Sequence, residues 1–431
     1  MFTHTFQATA RGADGDMEIS YDQGLHYRGI LNGQEGWAAI SISSDGVMGV
    51  IPTQAGNMVL GATKWSFGGT EYMIYNDQDL VIEMPFACLS DGGEATSQEA
   101  GSMDQPGRAK GGGCFLELLW IGDYDLYIQS GFNVNTSLNY LAGIFNNVGA
   151  LYQQEGVPLY LNELLVFIIP DGYSETDSGL ALDQFGADIS YDPLFDEDLV
   201  MLLALITNSN YSGVAVIDAL CANYDPGGTF SWGRFAYSRI ENYYEGVPLY
   251  SWTVSVATHE MGHNIGSRHT HWCGWPGGAL DNCQAVEPDN FGNYCPPGPY
   301  PFNGGTIMSY CHNLLGSINF LNGFGYYPNQ EILSDLNSAP CLCFVGVEEY
   351  DVWLAEIMLA PVPARTEVVI TLPADLSGDV SFEVVSALGA VVHRSSSVPR
   401  VLDVSQWSPG TYAAVFRMPG ARRSVRFQVI R

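Results

Sequence analysis

One stretch, HEMGHNIGSRH from His259 to His269, constrains this chain more than any other. It holds three of the eight histidines of the chain, and His259 and His263 are four residues apart. On an α-helix, residues with that spacing lie on one face, so both imidazoles can bind one metal ion. Glu260 lies beside them, within reach of a metal-bound water. The stretch therefore predicts a helix that carries a metal site.

Gly266 is expected to end this helix, because glycine readily adopts the left-handed conformation that turns the chain back. The turn lets His269 supply a third ligand. Three neutral nitrogens and one open position are typical of catalytic zinc, whereas structural zinc has four protein ligands. Zinc lowers the pKa of its bound water and polarises a substrate carbonyl. Glu260 would take a proton from that water and pass it to the leaving amine, so the motif predicts peptide-bond hydrolysis.

Composition narrows the class of protein further. The net charge of −31 argues against nucleic acid as a partner, because phosphate binding requires a basic face. The sequence has no apolar run long enough to predict a transmembrane segment. Nine cysteines, most of them in turn-rich sequence, favour disulfides and an oxidising compartment. The first residues lack the apolar core of a signal peptide, so we expect the start of the chain to be truncated.

Changes of pattern along the chain predict four segments. Residues 1–89 alternate apolar and polar positions and are expected to be short strands. Residues 90–113 are small, polar and glycine-rich, which indicates a linker. Residues 114–346 mix strands with helices, and residues 350–431 return to strands alone, which predicts a small β-sandwich. The expected fold class is therefore α+β.

Between the linker and the final strands, two apolar runs, CFLELLW and LYLNELLVFIIP, are predicted to be buried strands. Apolar residues between them recur at steps of three and four, which predicts an amphipathic helix. A second helix is expected from about Asp196 to Thr207, and a strand from Ser212 to Leu220. The stretch from Asn264 to Pro340 is expected to be irregular structure pinned by disulfides.

The stretch ATHEMGHNIGSRHTHWC, with GGTIMSYCH downstream, resembles the metzincin zinc peptidases, and within them the reprolysin/adamalysin group in its bacterial secreted form. The resemblance implies a mixed five-stranded catalytic sheet with helices, and a methionine, Met308, packed beneath the zinc ligands. It also implies that SGVAVIDAL is an edge strand. Such a strand would pair with an extended peptide substrate through Gly213, Val214 and Ala215.

Two positions leave the subfamily within the metzincins undecided. Thr270 follows the third histidine where the animal group usually has aspartate, and pappalysin-like peptidases also show threonine there. Tyr310 lies two residues after Met308, at the offset where astacin-like and serralysin-like metzincins have a tyrosine that swings onto the zinc or the transition-state oxyanion. We expect the same of Tyr310, the alternative being a buried tyrosine that fills the turn.

Calcium and one disulfide are further expectations from the resemblance. Glu117 and Asp198 match positions that bind Ca²⁺ in the adamalysin group, and surface carboxylates are the simpler interpretation. Cys221 would pair with Cys341 or Cys343. The remaining cysteine pairings stay open, because eight cysteines allow about 105 of them.

Cys88 lies in MPFACLSDG, outside the cysteine-rich region, and is the odd one if the other eight cysteines pair. The stretch HYRGILNGQEGWAAISISSDGVMGVI resembles the propeptide of reprolysin-like proenzymes, in which such a cysteine occupies the open zinc position. A thiolate is a good zinc ligand, so we expect Cys88 to keep the enzyme latent; the alternative is a buried apolar cysteine. The only basic residues of the linker, Arg108 and Lys110, are the expected activation site for a trypsin-like protease.

The last segment, with LAPVPARTEVVITL and LDVSQWSPGTYAAVF, resembles the C-terminal sorting domain of type IX secretion in Gram-negative bacteria. The resemblance implies outer-membrane secretion machinery as a partner and a secreted or cell-surface location, the alternative being a plain Ig-like binding module. The expected function is a secreted zinc endopeptidase, made as a latent precursor, that acts on proteins or peptides. One rival is an adhesin or matrix-binding protein with a structural zinc site, and another is a zinc peptidase acting as a toxin on host junction proteins.

Overall fold

The computed structural model describes most of the chain. The described residues are 1–63, 71–80, 86–91, 115–190, 197–205, 211–222, 224, 233–240, 247–313, 318–339, 342, 358–360, 364–372, 380–386, 391–395, 397–418 and 421–430. They fall into two compact units, one that ends at Leu342 and one whose described part begins at Met358.

The described residues ahead of the linker are mainly strands, as the alternating pattern predicts. In chain order they are β1 (Phe2–Gly12), β2 (Gly15–Glu18), β3 (Leu25–Ile30), β4 (Trp37–Ser43), β5 (Gly46–Thr53), β6 (Gly56–Ala62), β7 (Tyr72–Asn76) and β8 (Cys88–Asp91). Strands β3 to β7 form one antiparallel sheet in which each strand pairs with the next. Strands β1, β2 and β8 belong to a different sheet.

That second sheet is built on five strands from the segment after the linker. They are β9 (Leu116–Gly122), β10 (Leu159–Phe167), β11 (Leu199–Ala204), β12 (Gly213–Val216) and β13 (Phe235–Arg239). Their spatial order is β10-β9-β11-β13-β12, in which the first four strands are parallel and β12 runs antiparallel to β13. The sheet is therefore mixed, as the resemblance implies.

The N-terminal strands extend both edges of this mixed sheet. At one edge β1 pairs in parallel with β10, and β2 pairs with β1. At the other edge β8 pairs in parallel with β12. An uncovered strand edge leaves backbone hydrogen-bonding groups unpaired, and these pairings cover the edges of the five strands. The described residues up to Asp91 and the segment after the linker belong to one compact unit. The predicted boundary at residue 89 does not separate two compact units, and it stays a prediction of where the propeptide ends.

Five α-helices lie in the described part of this unit. They are α1 (Tyr124–Gln129), α2 (Val134–Gln154), α3 (Ser178–Ser190), α4 (Tyr250–Asn264) and α5 (Tyr326–Ser338). Asn133 caps α2, which packs against β10 and against β4 of the N-terminal sheet. Two buried asparagines on α2 bind that sheet: Asn147 accepts a hydrogen bond from the Val50 N–H at 2.9 Å, and Asn146 donates to Ser41. The predicted helix is thus covered on both sides.

The predicted helix from about Asp196 to Thr207 is wrong. Its described residues include β11, whose six side chains are all buried. Since side chains on both faces are buried, neither face meets water, and such a strand is apolar throughout rather than alternating. Periodicity cannot separate a helix from a strand in a run of this kind.

Two other predicted boundaries also differ. The strand expected from Ser212 to Leu220 ends at Val216, because Asp218 adopts a positive φ of 60° and turns the chain. The stretch expected to be irregular from Asn264 to Pro340 contains α5, although most of its described residues lie outside helices and strands.

The C-terminal unit contains strands and no helix in its described part. They are β14 (Met358–Ala360), β15 (Glu367–Thr371), β16 (Ser381–Ser386), β17 (Val391–Ser395), β18 (Val401–Asp403), β19 (Gly410–Met418) and β20 (Ala421–Val429). They form two sheets, ordered β14-β15-β18 and β17-β16-β19-β20. Phe382, Phe416 and Phe427 are buried in a shared core with Val368. Throughout the described chain, none of the helices has both the length and the apolar character needed to cross a membrane.

Candidate metal site and the segment that covers it

The three predicted metal ligands come together at the end of α4. His259 and His263 lie on this helix, which is buried on nearly every side. Gly266 has a φ of 89° and its N–H donates to the His263 carbonyl, so the helix ends where the sequence predicts. The chain then turns back, and the Nε2 atom of His263 lies 3.1 Å from the Nε2 atoms of both His259 and His269.

The partners of the other ring nitrogens fix the tautomer of each histidine. A carbonyl or carboxylate oxygen can only accept, so each Nδ1 carries the hydrogen and each Nε2 presents a lone pair. Three lone pairs that face one another are arranged to bind a cation. The Nδ1 contacts are His259 with Ile307 O at 2.8 Å, His263 with Ser267 O at 2.8 Å, and His269 with Glu287 Oε1 at 2.7 Å.

The spacing of the three Nε2 atoms fits zinc. A tetrahedral ion with zinc–nitrogen bonds of about 2.0–2.1 Å separates its ligand nitrogens by about 3.3 Å, close to the observed 3.1 Å. Burial and the neighbouring imidazoles lower the pKa of His259 and His263 well below its ordinary value, and burial lowers that of His269. The rings therefore stay neutral, as metal ligands must be. This group of side chains can hold a metal ion.

Glu260 directly follows His259 on α4 and is wholly buried. Burial raises the pKa of its carboxyl well above the ordinary value, an effect that a nearby cation would oppose. Its Oε1 atom has no hydrogen-bond partner within the described part of the chain. A Cβ atom placed on Gly213 would lie 2.0 Å from this Oε1. Gly213 therefore leaves the room that the carboxylate occupies.

Cys88 supplies a fourth ligand atom at the same point. Its Sγ atom and the ligand nitrogens of His259, His263 and His269 all lie within 4.8 Å of one another. Cys88 is a thiol rather than half of a disulfide, and its Sγ lies 3.2 Å from Glu260 Oε2. The thiol is thus close to both the histidines and the carboxylate.

The strand that carries Cys88 covers the predicted substrate-binding edge. In the parallel pairing of β8 with β12, Cys88 is opposite Gly213, Leu89 is opposite Val214, and Ala215 is opposite the next residue of β8. The three residues predicted to bind substrate therefore pair with the N-terminal segment.

Phe86 fills an aromatic pocket beside the metal site, a role that the sequence analysis missed. Only 4% of its surface is exposed. Its ring meets His259, Tyr310 and His312 edge-on, with centroids 4.9, 5.1 and 4.6 Å apart, and Val256 belongs to the same cluster. The only signal in the sequence is the position of Phe86, two residues before the cysteine.

Met308 and Tyr310 both lie close to α4 and the three histidines. Met308 is fully buried, and a Cβ atom on Gly262 of α4 would lie 3.0 Å from its sulfur, so it packs directly against this helix. The Tyr310 hydroxyl lies 3.4 Å from His269 Nε2 and accepts a hydrogen bond from the Cys88 N–H at 3.1 Å. Tyr310 is thus both buried and next to the predicted ligands.

Two disulfides pin the segment between the third histidine and Met308. One joins Cys273 to Cys295, and the other joins Cys283 to Cys311. Cys221 is also disulfide-bonded. The partners predicted for it, Cys341 and Cys343, lie outside the described residues, as do Arg108 and Lys110 of the linker.

The predicted calcium ligands are neighbours across two chain segments. The Asp198 carboxylate accepts a hydrogen bond from the Glu117 N–H at 2.8 Å, and the Asp198 N–H donates to the Glu117 carbonyl at 2.9 Å. Neither residue belongs to the candidate metal-binding groups found among the residues that the structure describes. Calcium binding stays a prediction.

Comparisons with known proteins bear on the same region. Residues 124–320 match the family model Reprolysin_5, described as metallo-peptidase family M12. A search of curated proteins gave no significant match.

Two solved structures show weaker likeness. One is PorZ, a surface component of the type-IX secretion system of Porphyromonas gingivalis, at 23% identity and a TM-score of 0.16. The other is reported as a chaperone–substrate complex, at 11% identity and a TM-score of 0.27. The matches cover 18% and 67% of this chain but only 12% and 39% of the solved chains, and both TM-scores are too low to carry an argument. The family match and the histidine-rich site together support a reprolysin-like metallopeptidase.

Proposed function

We propose that the chain is a zinc endopeptidase made as a latent precursor. The observation that carries the proposal is the convergence of three Nε2 atoms beside a buried carboxylate. His259, His263 and His269 would hold the zinc. Bound zinc supplies Lewis acidity to polarise a peptide carbonyl and lowers the pKa of water at the site.

Glu260 acts as general base and then as general acid. Its Oε2 atom lies 3.2 Å from the sulfur of Cys88, which is grouped with the three histidines, and its Oε1 atom has no hydrogen-bond partner within the described chain. The carboxylate is therefore able to accept a proton from an attacking water. It then gives the proton to the departing amine. Burial favours this shuttle, because the raised pKa of the carboxyl brings its proton affinity closer to that of water at a metal site.

Cys88 keeps the precursor inactive in this proposal. Its sulfur would take the fourth coordination position and exclude water. The adjoining strand β8 covers the edge of β12, and Phe86 fills the pocket next to His259. Three different contacts within residues 86–91 therefore block the metal, the peptide-binding edge and one side-chain pocket. Cleavage at Arg108 or Lys110 by a trypsin-like protease, followed by release of the N-terminal fragment, would open all three.

Substrate would replace β8 at the opened edge. An extended peptide could pair with the backbone of Gly213, Val214 and Ala215, and this pairing would bring its scissile carbonyl to the three histidines that would hold the zinc. The Tyr310 hydroxyl, which binds the Cys88 backbone in the latent form, would then face the substrate and stabilise the oxyanion.

The alternative is a surface adhesin with a structural zinc site. A structural site has no use for a buried carboxylate beside three histidines, and four permanent protein ligands would be needed to close it. The discriminating experiment is casein hydrolysis by protein that has been cleaved in the linker and freed of the N-terminal fragment. Hydrolysis that is abolished by a chelator and by Glu260→Gln supports the peptidase. A Glu260→Gln protein that binds zinc and cleaves as fast as the wild type contradicts it.

Secretion completes the proposal. The C-terminal unit, with its two sheets over one core, would be a type IX sorting domain that directs the protein across the outer membrane of a Gram-negative bacterium. Its sequence resemblance supports this role. Retention of a tail-deleted variant inside the cells, with the full chain found outside, is the expected result. Equal export of both would contradict it.

A further inference from the structure

The three histidines of the site differ in what orients them. The Nδ1 atoms of His259 and His263 donate to backbone carbonyls, whereas the Nδ1 of His269 donates to the carboxylate of Glu287 at 2.7 Å. A main-chain carbonyl is present whatever the side chain, so a substitution does not remove it. A side-chain carboxylate can be removed by one substitution. Glu287 is thus the single side chain among these three orienting groups.

Glu287 is fixed on the residues that follow His269. Its N–H donates to the His271 carbonyl at 2.9 Å, and its carbonyl accepts from the Cys273 N–H at 2.8 Å. The two disulfides of the segment hold the surrounding loop, because Cys283 and Cys295 lie on either side of Glu287. The carboxylate therefore reaches the His269 ring from a backbone that has little freedom to move.

His271 holds the carboxylate from a second direction. Its Nε2 contacts Glu287 Oε1 at 3.0 Å, the same oxygen that His269 uses. The rings of His269 and His271 are stacked, with centroids 4.9 Å apart and an angle of 8° between their planes, and both are buried. One oxygen atom thus contacts two parallel imidazoles, and these contacts fix the rotation of the His269 ring about its Cβ–Cγ bond.

We propose that Glu287 is a positioning residue of the metal site. It holds the His269 ring with Nε2 toward the ion and strengthens that nitrogen as an electron-pair donor. The inference rests on the proposed zinc site. A carboxylate that accepts from the far nitrogen of a metal-bound imidazole sets its tautomer and raises its basicity, and loss of such a partner usually weakens metal binding by about 10–100-fold. His271 supports Glu287 rather than the metal itself.

The test is zinc affinity, measured by competition of the zinc-free protein with a chromogenic chelator. Glu287→Ala should bind zinc about 10–100-fold more weakly than the wild type, and Glu287→Gln should fall between them because the amide oxygen keeps the hydrogen bond without the charge. Glu367→Gln is the matched control, since it removes one exposed carboxylate from the other compact unit, where it makes none of the orienting contacts, and should leave the affinity unchanged.

A second readout separates positioning from a general effect on folding. The gain in Tm on adding zinc should be smaller for Glu287→Gln than for the wild type, with each protein compared with its own zinc-free form, because the variant also loses the charged contact with His269 and His271 without zinc. Wild-type zinc affinity in both Glu287 variants would overturn the inference. Loss of a second bound zinc, rather than weaker binding of the first, would overturn it too, because Glu287 would then be a ligand. A wild-type protein that binds no zinc would instead refute the proposed function.

Discussion

Phe86 allows a direct test of how the N-terminal segment blocks the site. In Phe86→Ala, the ring that packs against His259, Tyr310 and His312 is lost. Among the described residues of the N-terminal segment, 86–91 supply the contacts at the metal site, the β12 edge and the aromatic pocket, whereas β1 to β7 pair elsewhere. The substitution therefore destabilises the closed form and leaves the open form, in which the ring would lie in water, nearly unchanged.

The magnitude follows from burial. Phe86 is 4% exposed, and truncating a buried phenylalanine to alanine costs about 3–5 kcal/mol. Every 1.4 kcal/mol is a factor of ten in an equilibrium constant, so the lower value raises the open fraction by about 100-fold. As long as the closed form still dominates, basal activity rises by the same factor.

The assay is cleavage of a quenched fluorescent peptide by uncleaved protein, with Arg108 and Lys110 both replaced by alanine so that processing cannot occur. Phe291→Ala is the matched control, because it removes the same side chain from a position that is 89% exposed and should leave the basal rate unchanged. After removal of the N-terminal fragment, wild type and Phe86→Ala should have the same kcat/KM. A folded Phe86→Ala protein with the basal rate of the wild type would refute the reasoning.

Three further predictions concern the same site. Cys88→Ala should make the uncleaved protein active, since the sulfur of Cys88 is the group placed among the three histidines. A Cys88→Ala protein as inactive as the wild-type precursor would show that the thiol does not keep the precursor inactive. Gly213→Ala should reduce kcat at least about 10-fold in the processed protein, because its Cβ would lie 2.0 Å from the Glu260 Oε1 and displace the carboxylate; unchanged kcat would show that this carboxylate has room to move. Tyr310→Phe should lower kcat by about 10–100-fold with little change in KM, as expected for a hydroxyl that binds only the transition state; an unchanged kcat would reduce Tyr310 to a packing residue.

The helix and the convergence of ligands could be predicted because they depend on local spacing. Residues four apart on a helix share a face, and Gly266 turns the chain with a positive φ. The approach of His269 to the two helical histidines therefore follows from the local sequence alone. The same holds for the strands before the linker, whose alternation is a local pattern.

Contacts between distant segments could not be predicted. Glu287 reaches His269 through a loop with no regular pattern, and nothing in its local sequence distinguishes it from an exposed glutamate. The pairing of β1 with β10 depends on which edge of the sheet is left uncovered, which no single segment specifies. The sequence predicts a helix where β11 lies, because burial on both faces removes the alternation that identifies a strand.

The coordination of zinc, before and after removal of the N-terminal fragment, tests the central claim most directly. X-ray absorption at the zinc edge of the intact protein should give one zinc with three nitrogens and one sulfur, the sulfur at about 2.3 Å. In the protein freed of the fragment, and in intact Cys88→Ala, the sulfur should be replaced by a light atom while the three nitrogens remain. A fourth protein ligand that persists after the fragment is gone, or protein without stoichiometric zinc, would contradict the account.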